Sequence, residues 1–585
     1  MYNVSDCLLG LALTNDGLIM IPKCNSIVRK DYHEYRKSGN VMLISGANSP
    51  MFAGFVGTGL LTGVVSGEIF ASPPSRMAYK LIETIADQDL DNEILIIVAN
   101  YTGDRLNFGL ALEHALLKEY KVDMFVFGDD VAFYGKPKSA GRRGLAGIAF
   151  VHKIAGALAD EGYTSHKIKS NLEQYGAQIG TISISLNYAK KPSTAALPSI
   201  KSKLAADTFV LGMGVHGEDG VEKVKMCSAH DMVDIMLEQL VGRKSLLNDS
   251  IHRHNNRVAI IINNTGGLSI FELNIIAKET AHQLRDRNIR VERLYVGSFM
   301  TSFSMAGVSL SALAVDDRLL ELLDRPSVSS AWTQALNAPQ IVNPCAELAD
   351  RALSQSTETT DYDAIDGLPF GRQLFVRAVQ LSCERLITSE NINHLNDLDT
   401  DVGDGDCGST LSNAANHFLA IIQTQQLKPS FFQMSHMCEY NMGGASGALY
   451  SLLFTAASQA IRSNVRKIDQ SYDCINLWKD VLKYCLQTIT QYSSAKPGDR
   501  SMLDPLYSAY QILGKCDHTL KYHEIAKLVA QGAKDGADST ASMVANVGRA
   551  SYSPSVRKPD AGAVGVAIWM DAIAEAFREC YGNKH

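Results

Sequence analysis

The sequence has little of what marks a disordered, disulfide-stapled or membrane-spanning chain. Only 16 of its 585 residues are proline, and its 11 cysteines include no C-x-x-C pair. It contains no run of about 18 uninterrupted apolar residues, and its first residues lack a basic segment followed by a long apolar one. These absences exclude a low-complexity chain and a disulfide framework. We therefore expect a soluble, cytoplasmic protein with reduced thiols and no membrane partner.

Clustered positive charge is also missing. The chain has 55 Lys and Arg against 62 Asp and Glu, a net charge of −7, and no dense basic run. Because nucleic-acid-binding surfaces need clustered Lys and Arg, we expect small molecules or proteins as partners and no nucleic acid. The motifs G-x-x-x-x-G-K-[ST], G-x-S-x-G and H-E-x-x-H and the protein-kinase signature are absent as well. Any nucleotide chemistry must therefore use a phosphate site without a Walker loop.

The pattern of apolar residues divides the chain into two different halves. Up to about residue 325, short apolar runs alternate with longer stretches of helical period, which is typical of an α/β domain. The runs are VMLI (41–44), ILIIVA (94–99), MFVF (124–127), TFVL (208–211), VAIII (258–262) and VERLYVG (291–297). In the second half the apolar period is almost entirely helical, and it places Leu411, Ala415, Phe418 and Ile422 on one face.

A stretch rich in Ser, Thr, Asn and Pro separates the two halves. We predict an α/β domain over residues 1–327, a linker over 328–365 and an all-α domain, a helical bundle or barrel, over 366–585. The first domain is large enough to contain two α/β lobes.

The most specific polar cluster is LNDLDTDVGDGDCGSTL (395–411). Asp399, Asp404 and Asp406 fall within eight residues, and Gly403 and Gly405 allow the loop to turn tightly enough to aim the three carboxylates at one point. Such hard oxygen ligands suit Mg²⁺, which can bridge protein carboxylates to nucleotide phosphates. The alternative is a solvated acidic turn, which mutual repulsion of the carboxylates disfavours.

Two further segments of the second half are candidate anion sites. NMGGASGALY (441–450) is a Gly-rich turn that leads into an apolar helix, and the N–H groups of a helix N-terminus bind anions. Close packing of helices through small residues explains this turn equally well. AKPGDRSMLDPL (495–506) places Arg500 between two helices, where it is available to neutralise phosphate charge.

The first half contains two polar segments that follow predicted strands. LGMGVHGEDG (211–220) includes G-x-G-x-x-G, but no clean helix follows, so we discount a dinucleotide site and single out His216. A lone histidine is commonly structural, so its spacing alone leaves the role of His216 open. NYTGDRLNFG (100–109) places Asp104 and Asn107 after a strand, where open α/β sheets bind their ligands.

Together these segments resemble the dihydroxyacetone kinase family in its single-chain, ATP-dependent form, the group that includes the animal triokinase/FMN cyclases. The resemblance implies a substrate-binding K domain, a helical nucleotide-binding L domain and a homodimer. The matching segments follow one another along nearly the whole chain: LISG (43–46), FAGFVGTGLLTGVVSGEIFASP (52–73), NYTGDRLNFG (100–109), GRRGLAG with VHKIAGA (141–157), GMGVHGE (212–218), NNTGG (263–267), GSFMTS (297–302), LDTDVGDGDC (398–407), GGASGALY (443–450), AKPGDRSMLD (495–504) and GRASY (548–552).

The resemblance implies roles for residues of the K domain. In the family, a His at the position of His216 forms a covalent hemiaminal with the carbonyl group of dihydroxyacetone. An Asp at the position of Asp104 is the general base towards the hydroxyl that is phosphorylated. Gly46, Asn48 and Ser49 fall in the segment that binds the substrate. The implied substrates are dihydroxyacetone or glyceraldehyde, with ATP as the phosphoryl donor.

In the L domain the resemblance implies a metal and nucleotide site. Asp399, Asp404 and Asp406 match carboxylates that hold Mg²⁺ ions on the ATP phosphates. Contacts with ATP are implied at Asp406, Cys407, Gly408, Ser409, Ala445, Ser446, Arg500, Ser501, Met502, Asp560, Ala561 and Gly562.

The sequence departs from the family pattern mainly in the K domain. The usual GGGSGHEP loop, whose His hydrogen-bonds the substrate, is replaced by LISGANSPMFAGFVG, and Ala99 stands where a Lys is usual. In the L domain Ala445, Ser493 and Ala561 replace the usual Thr, Gly and Pro, and the Asp triad is complete. Three functions stay open: a dihydroxyacetone or glyceraldehyde kinase, a Mn²⁺-dependent lyase that splits FAD into AMP and cyclic FMN, and a non-catalytic regulatory protein.

Overall fold

Contacts within the chain divide it into two units, Met1–Asp350 and Arg351–His585. A computed structural model describes residues 4–49, 52–134, 141–189, 204–205, 207–333, 336–337, 371–424, 430–464, 474–493, 495–517, 519–546, 549–552 and 557–582. The first unit combines strands and helices, and the second is helical throughout its described residues, as the apolar periodicity predicts. Among the described residues no helix is both long enough and apolar enough to cross a membrane.

The first unit contains a six-stranded sheet whose four longest strands are parallel. Its strands are β1 Leu18–Ile21, β2 Ser26–Arg29, β3 Met42–Ser49, β4 Gly63–Ile69, β5 Glu93–Ala99 and β6 Lys121–Phe127. Their order across the sheet is β1-β2-β4-β3-β5-β6, with β1 and β2 antiparallel at one edge. The apolar runs at 94–99 and 124–127 lie within β5 and β6, and the run at 41–44 overlaps the start of β3.

Helices cover both faces of this sheet, which explains the continuous apolar run in β5. Leu95, Ile97 and Ala99 join one hydrophobic core, whereas Ile94, Ile96 and Val98 join another on the opposite face. The helices of this part of the chain are α1 Val4–Leu13, α2 Tyr32–Lys37, α3 Ser75–Ala86, α4 Thr102–Leu116, α5 Ile148–Asp160 and α6 Ser165–Gly176.

A second sheet of seven strands completes the first unit and is mostly antiparallel. Its strands are β7 Ile179–Ser185, β8 Thr208–Leu211, β9 Glu222–Lys225, β10 Arg257–Asn264, β11 Arg290–Gly297, β12 Gly307–Ala314 and β13 Leu336–Asn337. Their order is β13-β11-β10-β12-β7-β8-β9, and only the pair β10 and β11 is parallel. The accompanying helices are α7 Ala229–Val241, α8 Asn248–Arg253, α9 Ile270–Asp286 and α10 Asp317–Asp324. Within this sheet, only β10 and β11 are parallel neighbours joined by a helix, α9.

The first residues of the predicted linker pack onto the first unit. Trp332 is only 8% exposed, and its ring centroid lies 4.8 Å from that of Tyr295 and 6.0 Å from that of Phe299. The backbone N–H of Val328 donates to the carbonyl oxygen of Thr58 at 3.0 Å. One large aromatic side chain thus anchors an otherwise polar stretch. Residues 338–370 lie outside the described residues, so the predicted domain boundaries stay predictions.

The second unit consists, over its described residues, of helices and short 3₁₀ turns without a strand. The helices are α11 Gly371–Leu386, α12 Ser389–Thr400, α13 Cys407–Gln423, α14 Phe431–Asn441, α15 Gly444–Asn464, α16 Cys474–Tyr492, α17 Leu503–Leu513, α18 Tyr522–Ser539 and α19 Ala561–Tyr581. Leu411, Ala415 and Phe418 of α13 are buried in the common core and Ile422 is partly buried against it, which confirms the predicted apolar face.

Helix α5 passes through the main core of the first unit and carries a histidine with an unusual environment. His152 is fully buried, and neither ring nitrogen has a hydrogen-bond partner among the described residues. Its ring centroid lies 5.1 Å from that of Phe52 and 5.4 Å from that of Phe55. Because burial disfavours the charged ring, the pKa of His152 is lowered to about 3.

This burial predicts a pH-dependent stability. An unfolded histidine titrates near pH 6.5, whereas folded His152 stays neutral down to about pH 3, so below pH 6.5 the unfolded state binds one more proton. We expect the free energy of unfolding of the first unit to lose about 1.4 kcal/mol per pH unit through this residue as the pH falls from about 6 to about 4. Urea denaturation followed by circular dichroism measures this loss.

The His152→Leu variant should lack this one-proton dependence because its side chain cannot bind a proton. His166→Gln is the matched control, since His166 is exposed on the neighbouring helix α6, and it should behave like the unaltered chain. An unchanged pH dependence in His152→Leu would contradict the assignment.

Candidate functional site

The loop after β8 holds His216 against a carboxylate. Residues 212–221 join β8 to its antiparallel neighbour β9, so a hairpin rather than a helix follows the G-x-G-x-x-G pattern. Oε1 of Glu218 lies 2.8 Å from Nδ1 of His216, and Oε2 of Glu218 accepts the backbone N–H of His216 at 2.9 Å. Gly212 and Gly217 have φ angles of +73° and +78°, a backbone region that favours glycine.

Glu218 is ionised in this arrangement. Burial works to raise the pKa of Glu218, but the hydrogen bond with His216 and the electrostatic attraction of His216 outweigh it and lower the pKa to about 2. The sequence analysis did not single out Glu218. Its position two residues after a glycine-flanked histidine was the available signal.

Aromatic side chains surround the His216 ring. Its centroid lies 5.1 Å from that of Tyr101, which precedes α4, and 5.4 Å from that of Phe70, which follows β4. Phe303 in turn lies 5.7 Å from Phe70, centroid to centroid. The imidazole therefore stands among apolar rings contributed by separate segments, where electrostatic interactions are stronger than in water.

Asp104 is the second polar group of this site. It lies in the first turn of α4 and is 2% exposed, and its Oδ1 has no hydrogen-bond partner among the described residues. Burial raises the pKa of Asp104 to about 6, while a hydrogen bond from Ser72 and the attraction of His216 oppose the rise. The structure thus brings Asp104 and His216 together. A carboxylate with a pKa near neutrality and an unused oxygen has the properties of a general base.

The predicted substrate segment is a strand rather than a loop as far as the structure describes it. Gly46, Asn48 and Ser49 belong to β3, and their backbones pair with β4. A Cβ atom at Gly46 would lie 2.8 Å from the ring of Phe108, so this glycine allows α4 to pack closely on the sheet. Residues 50–51 lie outside the described residues. Substrate contacts at Gly46, Asn48 and Ser49 stay a prediction.

Arg143, in segment 141–144, supports the loop that carries His216. Nε of Arg143 lies 2.7 Å from Oδ2 of Asp130, and its Nη2 donates to the carbonyl oxygen of Gly212 at 2.6 Å. Arg143 and Asp130 were also missed from the sequence, although the paired arginines between glycines in GRRG marked the segment.

Ala99, where the family usually has Lys, is fully buried against Gly144. A Cβ atom at Gly144 would lie 2.8 Å from that of Ala99.

In the second unit the predicted Asp triad comes together. One carboxylate oxygen from each of Asp399, Asp404 and Asp406 lies within 4.8 Å of the others. Oδ2 of Asp399, in the last turn of α12, accepts the backbone N–H of Asp406 at 3.0 Å. A Cβ atom at Gly403 would lie 2.2 Å from Oδ1 of Asp399, so only glycine leaves room for this carboxylate. Three hard oxygen donors in this geometry fit Mg²⁺ or Mn²⁺.

Further acidic groups share the electrostatic field of the triad. Burial raises the pKa of the Cys407 thiol to about 12, and the charges of Asp399 and Asp560 add to the shift. Burial likewise raises the pKa of Asp560 to about 6, opposed by Arg500 and reinforced by Asp504 and Asp399. Cys407 and Asp560 therefore lie within electrostatic reach of the triad, and Arg500 lies within reach of Asp560. A bound cation would relieve the repulsion among these carboxylates.

Arg500 is held more tightly than its position in a turn suggested. It is 4% exposed, and its Nη2 donates to the carbonyl oxygen of Lys558 at 3.0 Å. Its Nε has no hydrogen-bond partner among the described residues. The predicted contact with phosphate remains a prediction for this buried guanidinium.

The N-termini of α13, α17 and α19 meet beside the triad, and the Tyr450 side chain of α15 reaches them. A Cβ atom at Gly565 would lie 2.9 Å from the Leu411 side chain, and both residues lie about one turn inside their helices, α19 and α13. It would also lie 4.0 Å from Oη of Tyr450, a residue of the second turn of α15. A Cβ atom at Gly562 would lie 3.8 Å from that of Met502, which directly precedes α17. Because helix N-termini carry partial positive charge and free N–H groups, their convergence favours a polyphosphate.

Most of the predicted ATP contacts lie at these helix starts. They are Cys407, Gly408 and Ser409 at α13, Ala445 and Ser446 at α15, Ser501 and Met502 before α17, and Asp560, Ala561 and Gly562 at α19.

Asn396 is a site residue that the sequence analysis missed. Its Oδ1 accepts the backbone N–H of Ser409 at 3.1 Å, and its Nδ2 donates to the Ser409 hydroxyl at 3.0 Å. This side chain fixes the start of α13 against α12, three residues before Asp399. The only signal in the sequence was that Asn396 lies three residues before Asp399, a spacing that makes side chains neighbours on a helix.

Comparison with known proteins finds the same two-part organisation. The Dak1 domain family matches residues 9–331, and the DAK2 domain family matches residues 401–575. The triokinase/FMN cyclase of Homo sapiens is 36% identical over 584 residues, which cover 98% of this chain and 97% of that protein. The native crystal structure of the dihydroxyacetone kinase of C. freundii is 28% identical, with a TM-score of 0.60 over 98% of this chain and 99% of that one. The complex of that kinase with AMP-PNP and Mg²⁺, 28% identical over the same shares of both chains, has a TM-score of 0.58.

The Asp triad predicts divalent-metal binding by the second unit. Asp404→Asn should weaken Mn²⁺ binding about tenfold or more, because it removes one of three charged oxygen donors. Isothermal titration of the full chain with Mn²⁺ measures the dissociation constant.

Asp401→Asn is the matched control for this titration. Asp401 lies in the same loop, but its Oδ2 accepts from Nζ of Lys558 at 2.5 Å and is not part of the triad. It should leave Mn²⁺ affinity unchanged within about twofold. Equal losses in both variants would indicate a general charge effect rather than a site.

Proposed function

The chain belongs to the dihydroxyacetone kinase family, and we propose that it transfers the γ-phosphoryl group of ATP to a hydroxyl of dihydroxyacetone or glyceraldehyde. The observation that carries this proposal is Asp104. It is a buried carboxylate beside His216, its pKa is raised to about 6, and its Oδ1 is unused within the described part of the chain.

The first unit would hold the carbonyl substrate. One ring nitrogen of His216 attacks the carbonyl carbon to form a hemiaminal, which fixes the substrate beside Asp104. Asp104 then takes the proton from the substrate hydroxyl as that oxygen attacks the γ-phosphorus. The rings of Tyr101 and Phe70 pack against the imidazole and limit its exposure to water. Orientation by a covalent bond would offset the loss of the family's loop histidine and of the Lys replaced by Ala99.

The second unit would hold ATP. Asp399, Asp404 and Asp406 are the residues that would hold Mg²⁺, and the bound ion would neutralise phosphate charge during in-line transfer. The N–H groups at the starts of α13, α15, α17 and α19 would donate hydrogen bonds to the phosphate oxygens. Asn396 would keep the first turn of α13 in place through its two hydrogen bonds with Ser409.

A second candidate function is the splitting of FAD into AMP and cyclic FMN. The observation that favours it is that the Asp triad and the converging helix N-termini all lie in the second unit. A nucleotide bound there can be cleaved through its phosphates without help from His216. Mn²⁺ would then occupy the carboxylate site.

The kinase proposal predicts how turnover responds to the first unit. His216→Ala and Asp104→Asn should each lower kcat/KM for dihydroxyacetone with ATP and Mg²⁺ about 10²-fold or more. Glu113→Gln, an exposed carboxylate further along α4, is the matched control and should leave turnover unchanged. A coupled assay of ADP release measures these rates. No turnover by the unaltered chain above His216→Ala would reject the proposal.

The raised pKa of Asp104 predicts the pH dependence of the same reaction. A general base must be deprotonated, so kcat/KM should rise with pH through about 6 and level off above it. This rise of kcat/KM with pH should be absent from the residual activity of Asp104→Asn. A limb in the unaltered chain near the ordinary aspartate value of about 4 would contradict the assignment.

The lyase and the kinase functions require different residues, so variants distinguish them. With FAD and Mn²⁺, Asp404→Ala should abolish formation of AMP and cyclic FMN, whereas His216→Ala should leave it intact, as measured by chromatography. Loss in both variants, or in neither, would reject this lyase assignment. Inactivity in both assays with ATP still bound would leave the regulatory role.

A further inference from the structure

An imidazole attacks a carbonyl group only through a nitrogen with a free lone pair. A neutral histidine carries its proton on either Nδ1 or Nε2, and only the other nitrogen is nucleophilic. Free histidine side chains prefer the proton on Nε2, the nitrogen further from the backbone. A site that uses the outer nitrogen must therefore reverse this preference.

The environment of His216 performs this reversal through Glu218. Oε1 of Glu218 lies 2.8 Å from Nδ1 of His216, and an ionised carboxylate can only accept a hydrogen bond. A neutral ring in this contact must therefore carry its proton on Nδ1. The lone pair is then left on Nε2.

The carboxylate cannot easily turn away from this position. Its second oxygen accepts the backbone N–H of His216 at 2.9 Å, so both oxygens are held by the same residue. A Cβ atom at Gly214 would lie 2.1 Å from Oε2 of Glu218 and 2.7 Å from Nη1 of Arg143. The loop thus uses a glycine to bring the carboxylate close, and Arg143 supports it by binding Gly212.

We propose that Glu218 is the positioning residue of the carbonyl site: its carboxylate holds His216 with the proton on Nδ1 and presents the Nε2 lone pair to the substrate. The step that uses this lone pair rests on the proposed kinase function. The protonation state of the ring does not, so the two can be tested separately.

The same contact stabilises the product of the attack. As the bond from Nε2 to the carbonyl carbon forms, the π bond of the carbonyl breaks and its oxygen takes a proton from a water molecule, which leaves as hydroxide to the solvent. The ring keeps its proton on Nδ1 and becomes a cation. The Glu218 carboxylate, already 2.8 Å from Nδ1, offsets this charge without rearrangement.

The direct test is the protonation of His216 in the full chain. Two-bond ¹H–¹⁵N spectra of protein with labelled histidine rings, recorded at about pH 8 so that ordinary histidines are neutral, distinguish protonation at Nδ1 from protonation at Nε2. The His216 signal is identified by its absence in His216→Ala. We expect the proton on Nδ1 in the unaltered chain and a shift towards Nε2 in Glu218→Ala.

Two further variants separate positioning from loop structure. Glu218→Gln has one amide oxygen for the two donors, so it should retain more of the Nδ1-protonated form than Glu218→Ala while lacking the charge. Both variants should lower kcat/KM for dihydroxyacetone about 10- to 100-fold. Glu222→Gln, an exposed carboxylate at the start of β9, is the matched control and should change neither measurement.

The outcomes discriminate between the proposals. If Glu218→Ala leaves the proton on Nδ1, the positioning role is overturned, whatever happens to the rate. If the unaltered chain shows no carbonyl phosphorylation but the proton moves in Glu218→Ala, the kinase function fails and the positioning of His216 stands. If turnover and proton position change together, both are supported.

Discussion

The cost of unneutralised carboxylate charge is the constraint common to the candidate sites of both units. Burial raises the pKa of Asp104 in the first unit and of Asp560 in the second to about 6, so either group can exchange a proton near neutrality. Glu218 shows the opposite result, because contact with His216 outweighs burial and keeps it ionised. In the triad, Asp399, Asp404 and Asp406 lie too close together to remain unneutralised without cost. Protonation, an ion pair and a bound cation would each relieve the cost of such charges.

Both units use glycine to bring a carboxylate oxygen to its place. A Cβ atom at Gly214 would lie 2.1 Å from Oε2 of Glu218, and one at Gly403 would lie 2.2 Å from Oδ1 of Asp399. In each case the oxygen occupies space that any other residue would fill. The glycines of GMGVHGE and DVGDGD therefore shape the sites by leaving room for charge, as well as by turning the backbone. This role links the loop sequences directly to the electrostatics of the sites.

The sequence predicted most of the fold where the interactions are local or where apolar residues recur periodically. The continuous apolar run of β5 predicted a strand covered on both faces, and the spacing of Leu411, Ala415 and Phe418 predicted the inner face of α13. Strand pairing could not be predicted from the sequence. β12 pairs antiparallel with both β10 and β7, and these pairs join residues that are distant in sequence. Composition also did not reveal Trp332, a buried aromatic residue that packs an otherwise polar stretch onto the first unit.

The sequence by itself determined the groups whose spacing is set within one loop: the triad from Asp399 to Asp406, and His216 with the glycines around it. It also carried enough ordered motifs to identify the family. Only the tertiary structure decided that Asp104 lies in the electrostatic field of His216, that Asp560 is coupled to Arg500 and to Asp399 of the triad, and that the N-termini of α13, α17 and α19 meet beside the triad. The physical reason is that chain spacing limits distance only over a few residues. Burial, which sets the pKa of a carboxylate and the strength of its interactions, arises when distant segments pack together and exclude water.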